Sequence, residues 1–148
     1  MADEINLDDL LHLEPFSVFE TSALHELLLG AETRLLRAGD VLFRRGDASD
    51  GGFLLTSGSA AIESRDPAKP AEKILRPLAL LGETALIAST TRPITALARE
   101  PSAVLKISRA LVHQTLERHP ATAARMRQLF RDRLMRLAQN LQISGDET

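Results

Sequence analysis

The sequence predicts a mainly β member of the α+β class: a sandwich or small barrel of short strands between helical ends. Three observations predict it. Residues 34–107 break into short apolar segments separated by Gly- or Pro-bearing turns. Both flanks instead carry apolar residues at helical spacing. Hydrophobic residues make up 44% of the 148, enough for one core, yet aromatics are only 3%, so that core must be built from Leu, Ala, Ile and Val.

The elements follow in order. Residues 6–31 read as helical. Leu7, Leu10, Leu11 and Leu13 cluster before Pro15, with Asp8 or Asp9 favouring the helix start. A second helix is expected with Ser22 as N-cap, Glu26 supporting the first turn, Leu24, Leu27 and Leu28 as the apolar stripe, and Gly30 as the stop. Eight strand-like segments follow: 34–37, 41–43, 53–55, 60–64, 73–75, 78–81, 95–98 and 104–107. Gly39, Gly46 and Gly58 fall in turns that call for positive φ. Ser108 can cap a helix to about His119, with Leu111, Val112, Thr115 and Leu116 inward. Pro120 suits the first position of a last helix, striped by Met126, Phe130, Leu134, Leu137 and Leu141. That stripe fits either the chain's own core or a twin helix in a homodimer. The organisation expected is one domain over 1–143, with helices over 6–31, strands over 34–107, C-terminal helices over 108–142 and a flexible tail at 144–148.

Composition narrows function. Without cysteine there are no disulfides, thiolate nucleophiles or Cys-type zinc sites. No apolar run reaches the roughly 20 residues of a membrane span, and the acidic N-terminus is no signal peptide, so a cytoplasmic protein is expected. The net charge of −2 is unevenly spread: eight acids and no Lys or Arg up to Thr33, but seven Arg against Glu117 and Asp132 between Arg109 and Arg136. Either the two ends pair within the molecule or the basic face meets nucleic acid. Without Trp or Tyr, base stacking has little to use. No two of His12, His25, His113 and His119 share the helical spacing of a metal pair, and no nucleophile elbow or Walker loop is present. Residues 47–52 lack the distal Glu of a calcium loop. No enzyme, no catalytic residue, no metal and no cofactor is expected.

Gly82-Glu83-Thr84-Ala85-Leu86, followed after five residues by Arg92-Pro93-Ile94-Thr95, stands out. A glycine opens a potential helical turn whose amides can meet an anion. Arg92 adds a permanent charge with a planar fork, and Glu83 an acceptor for a sugar hydroxyl. Together with Leu36–Asp47 and Phe53–Gly58, this run resembles the cyclic nucleotide-binding domain family: the catabolite activator, the regulatory subunits of cAMP-dependent kinase and the cyclic-nucleotide-gated channels. The resemblance runs from about Phe16 to Leu137. It implies an eight-stranded antiparallel β-roll, jelly-roll-like, with N-terminal helices and two C-terminal helices.

It also implies roles. Arg92 matches the arginine that pairs with the cyclic phosphate, and Glu83 the glutamate that accepts from the ribose 2′-OH. Gly82, Thr84, Ala85 and Leu86 fall in the phosphate-binding cassette, and Thr95 near the phosphate and base. The ligand implied is cAMP or cGMP, and the output a repositioned C-terminal helix that meets an effector protein or a twin. The helix-turn-helix of the family's transcription factors has no counterpart, which implies a stand-alone sensor module. Three departures stand out: Pro93, without an N–H, follows the arginine; Leu78–Leu81 replace a glycine and aromatics; and Ile94 is larger than the usual alanine. One lost neutral hydrogen bond costs about 1 kcal/mol, more where a buried acceptor is left bare, which together weakens binding roughly tenfold. The alternative is the same fold without nucleotide, used for protein contact.

Overall fold

A computed structural model describes residues 5–64, 66, 68–70 and 73–146, with side chains through residue 140. Eight antiparallel strands form two four-stranded sheets: β1 (Glu32–Leu36), β2 (Val41–Phe43), β3 (Gly51–Ser57), β4 (Ala60–Ile62), β5 (Lys73–Leu75), β6 (Ala79–Leu81), β7 (Ala96–Ala98) and β8 (Ser102–Ser108). One sheet runs β1-β8-β3-β6 and the other β2-β7-β4-β5. This is the expected β-roll with flanking helices, every expected strand being present. Gly39, Gly46 and Gly58 take positive φ at the turns, as expected.

The first sheet is covered on both faces at its central strands, β8 and β3. On β3, Phe53 and Leu55 point between the sheets, while Leu54, of opposite parity, enters the core under the helices. On β8, Val104 faces the roll interior and Ile107 the helices. Burial on both faces explains why β3 reads as a near-continuous apolar run.

At the N-terminal end, α1 (Leu7–Leu10) is a single turn capped by Asn6, whose Oδ1 accepts from the Asp8 amide at 2.9 Å. A 3₁₀ turn (Phe16–Val18) leads into α2 (Thr21–Gly30). The cap position of α2 is Glu20, not Ser22, and no side chain caps it. Instead the Glu20 amide donates to Thr122 Oγ1 at 3.0 Å, a partner 102 residues away. Gly30 ends α2 but without positive φ. A Cβ there would come within 2.6 Å of Leu111 Cδ1, so the glycine serves close helix packing rather than a left-handed cap.

Helix α3 (Arg109–Arg118) is capped by Ser108 as expected, its Oγ accepting from the Leu111 amide at 3.1 Å. Helix α4 (Pro120–Asp146) runs past the expected end at 142 into the segment expected to be a tail; Glu147 and Thr148 lie outside the described residues. Its stripe divides. Met126 is buried and Phe130 half-buried, whereas Leu134 and Leu137 are 66% and 56% exposed. The side chain of Leu141 lies outside those described.

The acidic and basic ends meet within the molecule. Glu26 of α2 pairs with Arg118 and, at 2.9 Å, with His119, and Glu14 pairs with Arg133. Among the described residues no helix is long and apolar enough to cross a membrane.

Candidate functional site

Residues 82–85 and 90–94 form one wall of a cavity of about 340 Å³, within the size range of small-ligand sites. Gly82 leaves β6 at φ +84°, turning the chain into a 3₁₀ turn over Thr84–Leu86. Within the turn the first donor is the Ala85 amide, to Gly82 O at 3.1 Å. The turn's own pattern therefore leaves the amides of Glu83 and Thr84 over.

Arg92 is placed by its backbone. Its amide donates to Asp47 O and its carbonyl accepts from the Gly46 amide, both at 2.8 Å. The extended conformation that Pro93 favours in the preceding residue suits this anchoring. The side chain turns into the roll, only 5% exposed. Nη2 donates to Gly51 O at 2.7 Å, and the guanidinium lies 4.5 Å from the Phe43 ring and 5.6 Å from that of Phe53. Nε and Nη1 are buried without a partner. Burial pulls the Arg92 pKa down, while Asp50 and Asp47 push it up and Arg109 pulls it down. A buried guanidinium with two idle donors is costly unless an acceptor joins it, and an oxyanion is the acceptor that suits a charged fork.

Gly82, Glu83, Thr84, Ala85, Arg92 and Pro93 all line this cavity. Leu86 does not: it is 1% exposed in the core beneath the helices. Nor does Thr95, whose Oγ1 accepts from the Arg45 amide at 2.9 Å. Backbone direction turns the Leu86 side chain under the 3₁₀ turn and ties Thr95 to the 44–47 loop.

Glu83 holds the largest surprise. It neither caps the turn with its side chain nor pairs with Arg92. Its Oε1 accepts from Arg133 Nη1 of α4, and Arg133 Nη2 reaches Glu14. Partial burial pulls the Arg133 pKa down, but Glu14 and Glu83 more than offset it, so its pKa is raised overall.

Other residues at the site carried no local signal. Phe43 ends β2 as an ordinary core residue would, and Lys73 and Leu75 line the cavity from β5. Arg109, first residue of α3, donates to Ala85 O, Ala88 O and Ser49 O at 2.9–3.0 Å, tying the far end of the 3₁₀ turn to α3. Its only trace in the sequence was membership of the C-terminal arginine run.

Comparison with known proteins bears on this geometry. A sequence model described as the cyclic nucleotide-binding domain matches residues 33–119, more than half of the chain. Among solved structures, a cyclic nucleotide-binding-like protein from Brucella abortus bv. 1 str. 9-941 is 35% identical at a TM-score of 0.69, over 75% of this chain and 97% of that one. The N-terminal domain of a transcriptional regulator from Streptomyces coelicolor A3(2) shares the fold at a TM-score of 0.79 and 24% identity, over 90% and 95%. The Thermus thermophilus catabolite activator protein shares it at 0.66 and 22%, over 92% of this chain and 62% of that one. No curated protein matches. The chain belongs to the cyclic nucleotide-binding domain family.

Proposed function

We propose that this chain is a non-catalytic sensor of cAMP or cGMP, with the cyclic phosphate against Arg92 and the amides of the 82–85 turn. One observation carries this reading: Arg92 is buried at the cavity wall with Nε and Nη1 unpartnered. Pro93 removes one donor, which leaves the phosphate to the guanidinium and the amides of Glu83 and Thr84. Glu83 is the acceptor for the ribose 2′-OH.

The signal passes through the same carboxylate. Because Arg133 holds Glu83 Oε1, a ribose hydroxyl at Glu83 shares or displaces the contact that ties α4 to the turn. Nucleotide thereby shifts the population of α4 positions. Calorimetric titration with cAMP and with cGMP is the test: heat and thermal stabilisation are expected, and the absence of both at millimolar ligand would sink the reading.

A second reading, the fold as a protein-contact module without nucleotide, draws on Pro93 and on the engagement of Glu83 by Arg133. Under it Arg92→Ala leaves partner binding unchanged, while a charge at Leu134 or Leu137 disrupts it.

A further inference from the structure

A second concavity, of about 760 Å³, lies on the helical side between α3 and α4. Its floor is Val112 and Leu116 of α3, Met126 and Phe130 of α4, and Leu86 and Ile87 at the end of the 3₁₀ turn. Leu134, 66% exposed, continues it outward. The rim is charged. Arg127 and Arg131 stand one turn apart along the α4 edge, opposite His113 and Glu117 of α3. Arg118 and Arg133, on the same two helices, have acidic partners. Among the described residues, Arg127 and Arg131 have none.

We propose that this groove docks an acidic amphipathic helix of a partner protein. The stretch of α4 from Ala123 to Leu134 spans about 16 Å, room for three turns of a helix laying its apolar face in the trough. Two guanidinium groups one turn apart complement two carboxylates one turn apart on such a helix. A fatty acid would offer only one carboxylate, and a nucleic-acid backbone would leave the apolar floor uncovered. A second copy seating its own α4 here would set arginine against arginine, and two of the acids at its N-terminal end, Glu14 and Glu26, already pair within their own chain. The proposal does not depend on nucleotide binding.

The test is selection on the full chain of displayed helical peptides. Each carries Leu at one-face spacing, with the flanking positions randomised over Glu, Lys, Gln and Ser. Enrichment of peptides with Glu pairs one turn apart is expected. The double variant Arg127→Glu/Arg131→Glu, altered only at exposed positions, should weaken the selected peptides at least about tenfold, and Lys-for-Glu peptides should regain binding to it. Three results would overturn the proposal: no peptide enriched above background, selected peptides that bind the double variant unchanged, or a chain that sediments as a dimer split by Phe130→Glu, which would make a second copy the occupant.

Discussion

Arg92 is held in a state that suits a ligand better than it suits the fold. Its guanidinium is buried with one good hydrogen bond and two idle donors. Replacing a buried charge by an apolar side chain of similar length is often neutral or stabilising, so Arg92→Met should leave the melting temperature of the free protein unchanged or higher. The same change removes charge-assisted bonds worth about 1.5–3 kcal/mol, so titration should show nucleotide bound roughly ten- to a hundredfold more weakly. A purely structural arginine would show the opposite pattern in the melt. Gly82 is the second decisive residue. Its φ of +84° disfavours a side chain, and a Cβ would sit 2.5 Å from Arg92 Nη1. Gly82→Ala should cost about 1–2 kcal/mol by thermal melting and weaken nucleotide further by moving Arg92.

Beyond the packing of Met126 and Phe130 in the core, helix α4 is joined to the rest by a few polar contacts whose partners lie far away in sequence. Arg133 ties it to Glu83 and Glu14, and Thr122 ties its start to Glu20. If nucleotide and Arg133 compete for Glu83, Arg133→Ala should tighten cAMP or cGMP binding a few-fold in calorimetry. It should also speed amide exchange in the exposed part of α4. The α2–α3 junction carries a pH signature. The hydrogen bond from Arg118 lowers the Glu26 pKa most, with His119 adding to it and desolvation opposing. A carboxylate lowered on folding stabilises fully above its ordinary value of about 4.3, and that contribution is lost as pH falls through the lowered value. Acid titration of the melting temperature should therefore be shallower below about pH 4.3 in Glu26→Gln than in the parent.

Across the whole molecule the two cores meet at β3, which packs Phe53 and Leu55 toward the cavity side and Leu54 toward the helices. Anything that orders the cavity should then stabilise the chain as a unit. Nucleotide at a hundred times its Kd adds about 2.7 kcal/mol to a site formed only in the folded state. A thermal shift with cAMP or cGMP that disappears in Arg92→Met would locate that stabilisation at Arg92.

The strands, their turns and the α3 cap were legible in sequence, because each rests on local chemistry: glycine at positive φ, proline in loops, a serine before an amphipathic run. That residues 82–85 and 92–93 belong to one turn-bounded unit was legible for the same reason, a short stretch carrying a glycine, a carboxylate and a guanidinium in order. Other features depended on residues the fold brings together. Ser22 looked like the cap of α2, but Thr122, from the far end of the chain, meets that helix at Glu20 instead. Leu86 and Thr95 sat inside the motif, yet backbone direction sends one into the helical core and the other to the 44–47 loop. Glu83 stands out locally, but its partner lies 50 residues away. Short-range stereochemistry thus set the roll and the 82–86 turn. Long-range packing decided that Arg92 points into the roll with donors to spare, and that α4 keeps hold of the carboxylate beside it.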